Sequence, residues 1–361
     1  MTTLVTEMTL EELGYTESLA TYQKEHHLDS FLVGRVISEH KERYLVRTAD
    51  SEYDSEIIGN LRFTANSRAD FPAVGDWVAI SPFNEKDALI HAVFPRKTII
   101  ERQAVGKHGE KQIIATNIDY AFIVLAVDRD FSINRIERYL SICYAAKVIP
   151  MIILTKIDLI EDSELQSLVA KVRNRITDVP LFTISNESFI GIEEIKKIIQ
   201  KGKSYCLLGS SGVGKSSLSN ILSGKQSMKT DAISTSTNRG KHVTSHRELL
   251  ILENGGILID NPGMREVGMT DTSEGLDQTF EQIIALAKEC KFKDCTHTSE
   301  LGCSVLNALE KGELDQSSYE NYLKMEREKA HFESTIAEKR KRDKHFGKMM
   351  KNFKKDQNKF K

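Results

Sequence analysis

A multi-domain α/β chain is predicted by three features of this sequence. Short β-rich runs, punctuated by glycine, fill residues 31–103. A G-x-x-x-x-G-K-S segment, Gly209-Ser210-Ser211-Gly212-Val213-Gly214-Lys215-Ser216, lies between an apolar run and a helical repeat. Further on, Cys290, Cys295, His297 and Cys303 fall within fourteen positions. At 361 residues the chain is long enough for about two or three domains.

Taken in order, residues 1–28 read as a loose leader with a short amphipathic helix from Leu10 to Leu19, and no chemistry is assigned to them. Strands are expected at Phe31–Val33 with Val36–Ile37, at Tyr44–Val46, Ile57–Ile58, Trp77–Ile80 and Leu89–Phe94, with Gly34, Gly59 and Gly75 between them. About five strands suit a small barrel, of OB or SH3-like type; the residues alone leave both open. Arg96, Lys97, Arg102, Lys107 and Lys111 could extend a nucleic-acid surface, or be scattered surface cations.

The apolar run Val148–Leu154 suits a central parallel strand and ends in Thr155-Lys156-Ile157-Asp158. This is close to N-K-x-D, in which the Asp accepts hydrogen bonds from the ring N–H and exocyclic amine of guanine. Adenine lacks that donor pair, so an unpaired carboxylate would penalise it. Lys156 would pack along the base, and Thr155 would make with a hydroxyl the bond usually made by Asn. The run Leu181–Asn186 offers a second base loop through Ser185, although Ser-Asn is also an ordinary turn.

Next, Tyr205–Leu208 suits a buried strand, and Leu218, Ile221 and Leu222 repeat at helical spacing after the glycine loop. Loop N–H groups and a helix N-terminus would hold phosphate oxygens across Gly209–Ser216 and Ser217. Lys215 would reach the β and γ phosphates, and Ser216 would ligate magnesium. Asn254-Gly255-Gly256 between apolar runs marks a hairpin. Its second strand leads into Asp260-Asn261-Pro262-Gly263, a D-x-x-G, in which Asp260 would lie near the metal and the Gly263 N–H near the γ-phosphate. The base motif therefore precedes the phosphate loop, the reverse of the usual order. A site needs its loops at one sheet edge, not in one sequence order.

Three thiols and an imidazole at short spacing point to a closed, tetrahedral, structural zinc site. The apolar face Leu276, Phe280, Ile283, Ile284 and Ala287 leads into it as one helix. Cys143 and Cys206 read as small core residues. The chain has 50 Lys and Arg against 52 Asp and Glu, but basic residues dominate 339–361, a tail suited to RNA phosphates. No run has the apolar core of a signal peptide or the length of a membrane helix, so a reducing cytoplasm and no membrane partner are expected.

The sequence resembles the circularly permuted, ribosome small-subunit-dependent GTPases, the RsgA family. Four signatures carry the resemblance: T-K-I-D at 155–158, G-S-S-G-V-G-K-S-S at 209–217, R-G-K-H-V-T-S-H at 239–246 and D-N-P-G-M-R-E at 260–266, followed by the cysteine–histidine cluster. Departures are Val243 and Asn261, where the family usually has Thr. The resemblance implies an OB-fold at 29–104, a circularly permuted P-loop GTPase domain at 105–272, a helical zinc-binding domain at 273–338 and a basic tail at 339–361. It implies hydrolysis of GTP to GDP with Mg2+, stimulated by the small (30S) ribosomal subunit during late maturation, with one Zn2+ and contacts to 16S rRNA. A monomer is expected.

Met264 stands where many GTPases place a water-orienting Gln, so another group must act. His242 is the candidate, although a switch-loop or RNA-contact role suits it as well; His246 is the weaker choice. Thr244 would close on magnesium, with residues 226–241 ordering around it. Rival readings are a GTPase for another RNA target, an ATP-using P-loop kinase, and an RNA-binding scaffold with a vestigial nucleotide site.

Overall fold

A computed structural model describes residues 8–40, 42–65, 67–103, 111–128, 131–224, 248–260 and 273–333, with residue 341. The chain divides into two compact units, residues 1–101 with 113–266, and residues 102–112 with 267–361.

In the first unit, the helix expected at Leu10–Leu19 lies later, as α1 (Glu17–Glu25). Gly14, in the left-handed region at φ +89°, stops the earlier turn, in which the Leu13 N–H bonds Thr9 O. Nor is the leader loose over its described residues, 8–28. Leu13 is fully buried, and it joins Leu19, Trp77 and Phe94 in one apolar cluster.

The barrel strands are β1 (Leu32–His40), β2 (Arg43–Arg47), β3 (Glu52–Ile57), β4 (Trp77–Pro82) and β5 (Asp87–Val93), with α2 (Gly59–Thr64) between β3 and β4. Their order is β1-β2-β3-β5-β4, and β1 also pairs with β4, which closes the ring. The β3–β5 pair is parallel, which rules out an up-and-down meander and fits the OB type. Val36, Tyr44, Val46, Ile80 and Ile90 fill the inside. Gly34 is needed at the seam, because a Cβ there would lie 3.0 Å from Arg47 O and overlap Val46.

β6 (Ile99–Gln103) and β7 (Lys111–Thr116) form a separate pair. After them the chain alternates: β8 (Tyr120–Ala126), α3 (Ile133–Ala145), β9 (Ile149–Thr155), α4 (Asp162–Arg175), β10 (Leu181–Thr183), α5 (Ile192–Ile198), β11 (Ser204–Leu208) and α6 (Lys215–Ser223). The hairpin β12 (Glu248–Ile251) and β13 (Ile257–Asp260) closes the unit. Strands β10-β9-β8-β11-β13 are parallel neighbours, and β12 joins antiparallel. The chain runs outward from β8 to β10, then restarts at β11 on the other side of β8. That reversal puts a topological switch point between β8 and β11, where ligands of open α/β sheets bind. Cys143 and Cys206 are buried here, and burial pushes both thiols up.

Barrel and parallel sheet are one continuous structure, through β12 against β1. At the joint lies Arg35, 1% exposed. Its guanidinium donates to Leu13 O (2.7 Å), Gly75 O (3.2 Å), Asn117 O (3.1 Å) and Ser204 Oγ (2.8 Å). Arg96, expected as a possible RNA contact, also turns inward. It makes a two-pronged bond to Asp76 (2.8 and 2.7 Å) and donates to Ala69 O and Phe71 O. A buried Asp76 demands a cation, and Arg96 satisfies it.

The second unit holds α7 (Ser273–Thr279), α8 (Glu281–Ala287), α9 (Ser304–Glu310) and a helix over residues 316–333. The expected single helix is split at Phe280, whose backbone (φ −112°, ψ 38°) is not helical. Leu276, Phe280, Ile283, Val305, Ala308 and Met325 form the core. Among the described residues no helix is long and apolar enough to cross a membrane.

Candidate functional site

The glycine loop leaves β11 at Leu208. Gly209 (φ +154°) passes so close to β8 that a Cβ would overlap Val124 O. Gly212 and Gly214 are also in the left-handed region, and α6 starts at Lys215. Val213 is buried, while Ser210, Ser211, Ser216 and Ser217 are partly exposed. Lys215 is 8% exposed, and its Nζ donates to Gly209 O (2.8 Å) and Ser210 O (2.5 Å). Burial pulls its pKa down to about 8, partly opposed by the buried Asp260 carboxylate at the end of β13. Arg135 of α3 donates to Ser210 Oγ at 3.1 Å.

The base motif arrives at the same edge from β9. Thr155 is fully buried opposite Ala126 of β8. Its Oγ1 lies 2.6 Å from Val213 O and 3.2 Å from Leu125 O. Lys156 takes a left-handed backbone (φ +62°), and its Nζ pairs with Asp128 Oδ2 at 2.8 Å. The Asp158 carboxylate is exposed and accepts from Ser185 Oγ at 2.5 Å. Ser185 is itself held by the Glu187 and Ser188 N–H groups (3.2 and 3.0 Å). The adjoining Asn186 donates from Nδ2 to Gly214 O at 3.1 Å.

The structure thus gathers Thr155, Lys156, Asp158, Ser185, Gly209–Ser217 and Asp260 at one sheet edge. Such an edge offers backbone N–H groups, an ammonium and carboxylates, the groups that can bind phosphate oxygens and the N–H groups of a base. His242, Thr244 and Gly263 lie outside the described residues, as do His246, Met264, Lys107 and residues 342–361 of the basic tail. Three neighbours were not legible as site residues: Arg135, Asp128 and the amide of Asn186. Their partners lie 75, 28 and 28 positions away, so no local pattern announces them.

In the second unit, donor atoms of Cys290, Cys295, His297 and Cys303 all lie within 4.8 Å of one another. Four donors about 2.3 Å (sulfur) and 2.0 Å (nitrogen) from a zinc ion would be spaced about 3.8 Å (S–S) and 3.5 Å (S–N). Cys290 and Cys303 Sγ are 3.8 Å apart, and His297 Nδ1 is 3.6 and 3.4 Å from them. The donor set fits tetrahedral zinc. The N–H groups of Ser304 and Leu306 point at Cys290 and Cys303 sulfur (3.4 and 3.5 Å). Tyr319 Oη holds the His297 carbonyl at 2.6 Å.

A model of the RsgA GTPase family matches residues 93–270. A model of the ABC transporter family matches residues 192–351, a span that contains the glycine loop but not Asp158. A small ribosomal subunit biogenesis GTPase RsgA from Opitutus terrae is 40% identical over 334 residues, 90% of each chain. Small ribosomal subunit biogenesis GTPase RsgA 2 from Listeria monocytogenes is 42% identical over 325 residues, also 90% of each chain. Among solved structures, YloQ, a circularly permuted GTPase, is 26% identical with a TM-score of 0.59, covering 87% of this chain and 98% of that one.

Proposed function

Because this chain belongs to the RsgA GTPase family, we propose that it hydrolyses GTP to GDP and phosphate in the cytoplasm, stimulated by the small (30S) ribosomal subunit whose late maturation it assists. One observation carries the nucleotide reading. The Thr155 hydroxyl bonds Val213 O at 2.6 Å, which ties a base-reading motif from one half of the domain to a phosphate loop from the other. Asp158 accepts the guanine N–H groups while Ser185 holds it in place. Lys156 lies along the base. The N–H groups of Gly209–Ser217 and the Lys215 ammonium hold the phosphates, with Asp260 and Gly263 beside them.

Ser216 and Thr244 are the residues that would hold Mg2+, which would screen phosphate charge when bound. His242 orients the attacking water, since Met264 has no hydrogen-bonding group to do so. Cys290, Cys295, His297 and Cys303 hold one structural Zn2+. The OB barrel (29–104) and the basic tail (339–361) grip 16S rRNA, flanking the GTPase (105–272) and zinc (273–338) domains of a monomer. The ATP-using alternative shares the phosphate loop but leaves the Ser185-anchored Asp158 carboxylate without a purpose.

The test is GTP turnover with and without purified small subunits at two salt concentrations. A strong increase that weakens with salt is expected, because rRNA contacts release counterions. Stimulation by large subunits alone would redirect the assignment to another RNA target. No stimulation together with tolerance of Lys215→Ala in cells would favour a scaffold.

A further inference from the structure

We infer that Asn186 shares with Thr155 the task of holding the phosphate loop, and so aims two of its N–H groups; this rests on the GTP-site reading above. A threonine hydroxyl has one proton. Thr155 Oγ1 is 2.6 Å from Val213 O and 3.2 Å from Leu125 O, so its proton goes to Val213. A carboxamide at position 155 would carry a second N–H. Here that second donor comes from another loop, as Asn186 Nδ2 bonds Gly214 O at 3.1 Å.

Val213 and Gly214 supply consecutive peptide carbonyls. In a planar trans peptide the C=O and the following N–H point in opposite directions. Drawing both carbonyls toward Thr155 and Asn186 turns the N–H groups of Gly214 and Lys215 to the opposite, concave side of the loop. Gly214 also feeds the helix, since its carbonyl accepts from the Leu218 N–H at 2.9 Å, and a carbonyl has two lone pairs for the two bonds.

Two observations show that this contact is built. A Cβ on Gly214 would come within 2.6 Å of Asn186 Nδ2, so glycine and amide are fitted to each other. The amide cannot be reversed, because Oδ1 would then face the Gly214 oxygen. In the orientation that bonds, Oδ1 is buried and has no hydrogen-bond partner among the described residues. Asn186 carries that unsatisfied acceptor in order to make the one bond. Its neighbour Ser185 holds Asp158, so two consecutive residues brace the base carboxylate on one side and the phosphate loop on the other. Asn186 reaches backbone, not base, and is a positioning residue indifferent to purine identity.

The experiment titrates mant-GDP and mant-ADP into the full-length chain, wild type and variants. Asn186→Ala should weaken mant-GDP about tenfold, the equivalent of one hydrogen bond, while the preference for GDP over ADP stays within about threefold. Thr155→Asn brings a second N–H to position 155, so the double variant T155N/N186A should recover most of the lost affinity. Asn186→Ala binding mant-GDP within about twofold of wild type would overturn the inference. So would loss of the GDP preference, which would make Asn186 a base reader, or a double variant no tighter than Asn186→Ala. Failure of the wild type to bind mant-GDP would bring down the GTP-site reading and this inference together. Wild-type binding with an indifferent Asn186→Ala overturns this inference alone.

Discussion

Replacing Lys215 by methionine should make the free protein more stable and unable to bind nucleotide. The lysine is buried, and its pKa is about 8 against an ordinary 10.5. At 1.36 kcal/mol per pH unit, keeping the ammonium charged in the folded chain costs about 3 kcal/mol relative to the unfolded chain. The folded pKa lies below the unfolded one, so the unfolded chain binds this proton more firmly. The cost is therefore complete below pH 8, shrinks as pH climbs toward 10.5, and vanishes above it. Methionine keeps the stem and removes the charge, but it also deprives Gly209 O and Ser210 O of their donor, which returns about 1–2 kcal/mol. The net gain at pH 7 is about 1–2 kcal/mol, a rise in Tm of about 2–6 °C. GDP at a hundredfold over its Kd should stabilise wild type by about 2.7 kcal/mol and the variant not at all. Thermal unfolding with and without GDP, at pH 7 and 9.5, reads all of this. A variant less stable than wild type at pH 7, or one whose advantage grows at pH 9.5, would contradict a buried Lys215 ammonium that costs stability.

The purified chain should carry about one zinc per molecule by elemental analysis. Cys303→Ser should lose that zinc and raise hydrogen exchange across residues 273–333, with GDP affinity retained; unchanged exchange in the metal-free variant would contradict a structural role. Arg35→Met leaves Leu13 O, Gly75 O, Asn117 O and Ser204 Oγ without their donor and should cost about 3–5 kcal/mol in denaturant unfolding. Arg35→Lys should recover less than half of that loss, because one ammonium cannot span the four acceptors.

What could be read from sequence was what local pattern encodes. The phosphate loop, the strand leading into Thr155, the Asn254–Gly256 hairpin and the cysteine–histidine cluster each fit within a short window. The five barrel strands were visible through glycine spacing and β-branched runs. A barrel was expected from them, but which strands meet to close it was not legible, since the β1–β4 pairing joins segments some forty positions apart. The leader looked loose because the partners of Leu13 belong to the barrel, and Gly14 was not recognised as a break. Arg96 looked like surface charge because the acid it satisfies, Asp76, becomes buried only on folding. Asn186 looked like a turn residue, and only the return of β11 beside β8 gives its amide a carbonyl to hold.

A GTP site here requires that a carboxylate at the end of β9 choose the purine that the later loop holds by its phosphates. Calorimetric affinities for GDP and ADP, in wild type and Asp158→Ala, measure that choice. Losing two charge-assisted hydrogen bonds should cost about 3–5 kcal/mol, so GDP affinity should fall at least a hundredfold, ADP affinity should change little, and the preference should collapse. A GDP preference that survives Asp158→Ala would mean that something else reads the base.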